Sequence, residues 1–230
     1  MTNAQTGTLY LVATPLGNLG DTTFRAIETL KRVSLIAAED TRRTGILCQK
    51  YEIHTPLTSL HEHNEGQKTA QLVERLKAGE SIALVTDAGM PVISDPGAFL
   101  VEQAAAAGIR VTAVPGANAA VTALALSGFR GEKFRFEGFP PKKSAAMERW
   151  LAGLASEETP VICYESPYRV VKTLEAIRKV LGEVPVVVAR ELTKLHEETT
   201  RGSTSQVLKR YTERPAKGEV TLLFLPKKRP

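Results

Sequence analysis

The chain has 230 residues, of which 43% are hydrophobic and 24% charged, with a formal net charge of +5. That length admits one large domain or two small ones, and the composition is that of an ordinary globular protein. It excludes a membrane-spanning helix, which needs roughly 20 consecutive apolar residues, and a disulfide scaffold, because Cys48 and Cys163 stand far apart without CxxC partners.

The two thiols read as reduced and buried. The first residues, "MTNAQTGTLY", lack a basic segment followed by an apolar one, so no signal peptide is expected and the default location is cytoplasmic. The basic excess gathers at Arg42–Arg43, at "PPKK" (140–143) and at "KKR" (227–229).

In chain order, strand-like and helix-like segments alternate. "TLYLVAT" (8–14) reads as a buried strand, and "DTTFRAIETLKRV" after it as a helix with Asp21 as N-cap. Next come a strand at 35–39, a helix at 65–78 closed by Gly79 and a strand at 81–87. A helix at 97–108 closed by Gly108 and a strand at 109–116 complete this part. Apolar strands without polar alternation, each followed by a helix, predict a parallel sheet covered on both faces.

Beyond that point the texture changes. An Ala- and Leu-rich helix is expected at 117–127, an alternating strand at 133–139, and a basic helix opened by Pro140 and Pro141. A strand–helix pair at 160–166 and 168–182 precedes three further strands at 184–192, 196–202 and 219–225. The expected fold is α/β in two domains, 1–116 with a mostly parallel sheet and 117–230 with a mixed one.

Gly-, Pro- and acid-rich segments fall at the carboxyl ends of these strands, where open α/β sheets bind ligands. They are "TPLGNLGD", "AEDTRRTG", "TDAGMPVISDPG", "VPGANAA", "YESPYR" and "ARELTK". The first holds Gly17 and Gly20 but neither G-x-G-x-x-G nor a following G-K-[ST], so it is not a phosphate loop. "LHEHNE" (60–65) has His61 and His63 two residues apart, where a zinc-binding H-E-x-x-H needs four, and no metal site is expected. No G-x-S-x-G elbow marks a serine hydrolase.

The ordered series "TPLGNLGD", "AAEDTR", "LHEHNE", "DAGMPVISDPG", "PGANAAVTAL", "EGFPP", "YESPYR" and "ARELTK" resembles the ribosomal RNA small subunit methyltransferase I family over residues 8 to about 226. That resemblance implies a tetrapyrrole methylase-like fold with S-adenosylmethionine in a cleft between two domains. It also implies 2′-O-methylation of a cytidine in the decoding region of 16S rRNA within the 30S subunit, and a homodimer. Family members usually continue past the point matching "PKKRP" into a small helical segment that engages RNA, so such a segment is expected to be missing here. The rival readings are a methyltransferase of the same fold acting on a tetrapyrrole or diphthamide precursor, and a non-catalytic RNA-binding module.

Carried onto this chain, the resemblance sets Met90 and Ile93 of "DAGMPVISDPG" against the cofactor, together with Asn118, Ala119 and Ala120 of "GANAA". Tyr164, Leu192 and the Gly218–Glu219 region match more loosely, and Pro15 and Gly17 are expected to let backbone approach the cofactor or the RNA. An Asp common in tetrapyrrole-specific relatives is replaced by Met90, which argues against those substrates.

Methyl transfer to a sugar hydroxyl needs in-line alignment and a group that accepts the hydroxyl proton. Glu39, Asp40, His63, Asp87 and Glu165 are candidates, and Glu39 or His63 is favoured. Asp40, Arg42, Arg43 and Arg169 are candidate substrate-binding residues, with Lys142 and Lys143 as further phosphate contacts. Asp40 and Arg42 also read as a structural pair that orders a loop, and the lysines as solvated charge. Phe139 and Tyr168 are candidates either to stack on an extruded base or to pack in the core.

Overall fold

The computed structural model describes residues 6–227, so Arg229 and Lys228 of the "KKR" run lie outside the described residues. The chain divides into two compact units, Met1–Asn118 and Ala119–Pro230.

The first unit is a five-stranded sheet in the order β3-β2-β4-β1-β5. Its strands are β1 (Thr8–Val12), β2 (Leu35–Ala38), β3 (Leu57–Ser59), β4 (Ile82–Val85) and β5 (Arg110–Val114). Every pairing is parallel, as the unbroken apolar strands predict. The helices are α1 (Phe24–Arg32), α2 (Thr41–Lys50), α3 (Glu65–Lys77) and α4 (Ala98–Ala106).

Strand alternation sorts them onto two faces. Leu35, Ala37, Ile82 and Leu84 pack with Leu72 and Leu76 of α3 and Leu100 of α4. Their neighbours Ile36, Ala38, Ala83 and Val85 pack with Ala26 and Leu30 of α1 and Leu47 of α2. Side chains alternate with period two, so one strand feeds both cores and leaves no polar face. Each fully buried leucine here contributes about 1.5–3 kcal/mol.

The second unit carries α5 (Ala119–Ser127), β6 (Arg135–Phe136), α6 (Ser144–Leu154), β7 (Val161–Glu165), α7 (Val170–Leu181), β8 (Pro185–Arg190), β9 (Glu198–Ser203), α8 (Thr204–Glu213) and β10 (Val220–Phe224). Its sheet order is β6-β7-β10-β8-β9. Only β6–β7 is parallel and the other pairings are antiparallel, so the sheet is mixed as expected. Val161, Cys163, Val186, Val188, Leu222 and Phe224 face α6, α7 and α8 in one core.

Several local readings need correction. The N-cap of α1 is Thr23, whose hydroxyl accepts from Ala26 N at 3.1 Å, while Asp21 closes a short 3-10 turn. The basic helix begins at Ser144, because Pro140–Pro141 lies in a loop pinned from elsewhere. Helices α2 and α8 and strand β3 were not anticipated. Helix α8 opens with a capping box, Ser203 accepting from Gln206 N and the Gln206 side chain accepting from Ser203 N, which is a signal readable in "STSQ".

Candidate functional site in the parallel unit

All five strands of the first unit run in parallel, so their carboxyl ends share one rim. The connections part at β1 and β4: β1 leads through α1 toward β2, and β4 through α4 toward β5 on the opposite side. This topological switch point is where open α/β sheets open a crevice for ligands.

Here the loops after β1 and β4 are tied together. Thr14 and Gly89 exchange two backbone hydrogen bonds of 2.9 and 3.0 Å, and Thr14 Oγ1 donates to Thr86 O at 3.0 Å. Pro15 is buried at this seam, while Gly17 is exposed with φ 146°.

The loop after β4 departs from ordinary backbone. Gly89, Val92, Ser94 and Gly97 have φ of 89°, 77°, 65° and 115°. A β-branched residue in that region is strained by about 1–3 kcal/mol. At Gly97 a Cβ would also overlap the Leu84 side chain, so glycine is required. The loop is anchored by Glu65, whose Oε1 accepts from Gly97 N at 2.9 Å and Phe99 N at 3.2 Å. Between these anchors Met90 is half-buried and Ile93 is 40% exposed.

Acidic side chains gather at the ends of β2 and β4. Glu39 Oε2 accepts from Thr86 Oγ1 at 2.6 Å and from Asp87 N at 3.2 Å. Asp87 Oδ1 accepts from Asp40 N at 3.2 Å, and its other oxygen lies 3.3 Å from Arg43. Asp40 caps α2 and binds Arg42 through two side-chain bonds of 3.0 and 2.7 Å. The Arg42 hydrogen bond holds the Asp40 carboxyl down at about 2. Arg42 and Arg43 are thus each paired with an acid, and the loop-ordering role foreseen for Asp40 and Arg42 is present.

Asp95, which the sequence reading did not single out, belongs with this group. Burial, reinforced by the negative charge of Glu39 and then of Asp87, pushes its pKa up to about 6, against a lowering hydrogen bond with Thr86. Burial and Glu39 also push Asp87 upward. A carboxyl whose folded pKa exceeds its unfolded value of 3.8 adds stability below that value, and the contribution is lost as pH rises toward about 6. Asp95→Asn is therefore expected to be more stable than the parent at pH 8 by about 1–2 kcal/mol, solvent screening of this partly exposed carboxyl reducing the full effect, with a flatter stability profile between pH 4 and 6. Urea unfolding across that pH range checks it, and equal slopes for both proteins would refute it.

The histidine segment lies in the turn that leads into α3. His61 N donates to Asn64 Oδ1 at 2.9 Å, and the rings of His61 and exposed His63 meet edge to face at 6.0 Å. His63 follows β3, at the sheet's border, whereas Glu39 follows β2, next to β4. Among the described residues no group of three or more His, Cys, Asp or Glu can hold a metal ion.

In the second unit, Ala119 and Ala120 open α5, and Ala120 is buried; Asn118, half-buried, ends the first unit. Glu165 Oε1 accepts from Ser166 N at 2.8 Å and Oε2 from Thr173 Oγ1 at 2.5 Å, with no exposed side-chain surface. Both of its oxygens are thus already engaged within the unit. Arg169 lies 3.5 Å from Glu165 and donates to Pro141 O at 2.8 Å, so this arginine is turned inward. Tyr164 packs edge to face on Phe136 and Phe139.

Leu192 is buried between Glu191 and Thr193, both with positive φ. Glu191 Oε1 accepts from Glu219 N at 2.9 Å, and Lys194 bridges Glu191 and Glu219. A separate cavity of about 360 Å³ between Phe129 and Arg201 is lined by none of the residues named from the sequence. Cys48 and Cys163 are free and buried, and burial pushes both thiols upward. Among the described residues no helix is long and apolar enough to cross a membrane.

Comparison with known proteins agrees with this architecture. The family Tetrapyrrole (Corrin/Porphyrin) Methylases matches residues 8–208. The Ribosomal RNA small subunit methyltransferase I of Haemophilus influenzae is 50% identical over 221 residues, covering 95% of this chain and 78% of that protein. The protein of the same name from Thermotoga maritima is 45% identical, covering 95% of this chain and 98% of its own length.

Among solved structures, uroporphyrin-III-C-methyltransferase from Thermus thermophilus superposes with a TM-score of 0.66 at 18% identity, over 94% of each chain. A diphthine synthase gives 0.72 at 12% identity, over 95% of this chain and 89% of the other. Identities this low speak for the fold alone. At half-identical sequence over nearly its whole length, the chain belongs to the ribosomal RNA small subunit methyltransferase I family and has the tetrapyrrole methylase fold.

Proposed function

We propose that this protein uses S-adenosylmethionine to methylate the 2′-hydroxyl of a cytidine ribose in the decoding region of 16S rRNA, acting on the 30S subunit. The observation that carries this reading is the 50% identity, over 95% of the chain, to a protein named for methylating small-subunit rRNA. A cytoplasmic location goes with it, since the substrate is ribosomal, and the family resemblance adds a homodimer.

The residues at the switch point fit such a cofactor. S-adenosylmethionine carries a sulfonium, an ammonium and a carboxylate, with net positive charge and no phosphate. Glu39, Asp87 and Asp95 supply negative charge beside the strand ends, while half-buried Met90 and exposed Ile93 offer apolar contact. The four residues of positive φ between Gly89 and Gly97 bend the loop sharply, and the engaged backbone of the two buried glycines fixes it at both ends. Pro15 and Gly17 form the opposite loop, tied to the first through Thr14. When bound, the cofactor supplies an electrophilic methyl carbon.

The chain's own part is orientation and proton removal. Glu39 is assigned as the proton acceptor over His63. Thr86 and the Asp87 amide fix its Oε2, which orients the carboxylate and leaves Oε1 to receive the hydroxyl proton. His63, by contrast, is exposed at the border strand. Holding the oxygen in line with the methyl group supplies the larger share of the acceleration in reactions of this type.

Incubation with 30S subunits and radiolabelled S-adenosylmethionine tests the reading. Label is expected in 16S rRNA, on a ribose oxygen of one cytidine after nuclease digestion. Label on a base, or none on 30S subunits despite cofactor binding, would overturn it.

A further inference from the structure

The loop between β6 and α6 is held more firmly than its exposure requires. Tyr164 N donates to Gly138 O at 2.8 Å, fixing the residue before Phe139. Arg169 donates to the carbonyls of Pro140 at 3.4 Å and Pro141 at 2.8 Å, fixing the two residues after it. Arg169 is itself held by buried Glu165, whose carboxylate is saturated by Ser166 N and Thr173 Oγ1.

This clamp holds up an aromatic side chain that the core does not use. Phe139 is 60% exposed, and its ring meets Tyr164 edge to face at 5.8 Å, with Phe136 behind Tyr164 at 5.0 Å. Tyr168, directly before the clamping Arg169, is 92% exposed. In sequence each of the two exposed rings adjoins a residue of this clamp, Phe139 before Pro140 and Tyr168 before Arg169. An exposed phenylalanine on a mobile loop needs no explanation, but one backed by two rings and pinned by a buried charge network is preorganised.

Charge distinguishes the occupant. Lys142 and Lys143 follow the two prolines, are exposed, and among the described residues make no ion pair. The two acids closest in sequence are engaged elsewhere, Glu137 by Arg135 and by Trp150 Nε1 at 2.8 Å and Glu148 by Lys179 at 2.7 Å. Exposed π-faces beside uncompensated lysines match the stacking platforms and phosphate contacts of single-stranded nucleic-acid sites.

We propose that Phe139 and Tyr168 form a platform on which unpaired bases of the RNA substrate stack, with Lys142 and Lys143 holding the adjoining phosphates. This rests on the RNA reading of the function and names the part of that RNA which is gripped: unpaired nucleotides, recognised by their faces.

The test uses the full chain and a labelled, unpaired pyrimidine oligoribonucleotide, with the same strand annealed to its complement as control. Phe139→Ala and Tyr168→Ala are each expected to weaken binding of the unpaired strand about 5- to 150-fold, leaving the duplex and the salt slope unchanged. Phe139→Trp is expected to retain binding. Replacing Lys142 and Lys143 together by Ala should instead flatten the dependence of log K on log salt by about 1.4.

Tyr168, almost wholly exposed, keeps the test free of folding effects. If the parent binds unpaired RNA and methylates 30S subunits but both alanine variants bind equally well, the platform is refuted and the RNA function stands. If the parent neither binds nor methylates RNA, both fall. If the variants keep RNA affinity but lose a dimer in sedimentation, the rings serve contact between copies, and the platform is again refuted.

Discussion

Replacement of Glu39 by Gln is expected to lower the methyl-transfer rate at neutral pH by about 100-fold or more, the usual contribution of a positioned general base. The amide oxygen can still accept from Thr86 Oγ1 and Asp87 N, so the end of β2 keeps its geometry while losing its basicity. Single-turnover transfer to 30S subunits gives the rate, and equilibrium binding of S-adenosylmethionine shows whether the cofactor site is intact. Full activity in this variant would remove Glu39 as proton acceptor.

A second readout belongs to the same substitution. The Glu39 charge is one cause of the raised Asp95 carboxyl, so neutral Gln lets Asp95 fall toward its ordinary 3.8. The loss of stability between pH 4 and 6 then shrinks. An unchanged slope would show that burial alone holds the Asp95 carboxyl up.

The largest stability effect is expected at Glu165. Truncation to Ala strands Arg169 against the protein interior and leaves Ser166 N and Thr173 Oγ1 without their acceptor. Breaking a buried pair by removing one partner costs about 3–5 kcal/mol, because the remaining charge is left uncompensated. Equilibrium urea unfolding measures it. Glu165→Gln, which retains an acceptor oxygen, is expected to lose less. A loss below about 1 kcal/mol in the alanine variant would place the pair among surface bridges that contribute little.

The long periodic helices and the apolar strands were legible because burial imposes its own spacing. Helix α3 puts Leu72, Val73 and Leu76 inward, and the strands around Ile36 and Leu84 are buried on both faces. Helix α2 was not legible. "TRRTGILCQK" contains Thr, Arg and Gly, and only Thr44, Leu47 and Cys48 are buried, so its pattern is weak and its start depends on Asp40 as cap. Strand β3 has three residues, too few for a period to register.

At the candidate site, residue types were readable while their roles were not. The acids and arginines at the strand ends stood out in the sequence, and so did the Asp40–Arg42 pairing as one of two readings, but Arg169 is turned toward Glu165 and the proline carbonyls. Asp95 looked like part of a turn in "SDPG". Its perturbed carboxyl depends on burial and on Glu39, which the sheet brings near from another strand.

The sequence by itself determined the α/β pattern, the parallel and mixed sheets and the absence of a phosphate loop, because these follow from local spacing and residue type. Only the tertiary structure decided which carboxylates share a field and which arginines are occupied. It also decided which aromatic rings stand exposed on a fixed base. Those properties belong to groups brought together across strands, and Coulomb energy, burial and packing depend on distances in space that chain spacing does not contain.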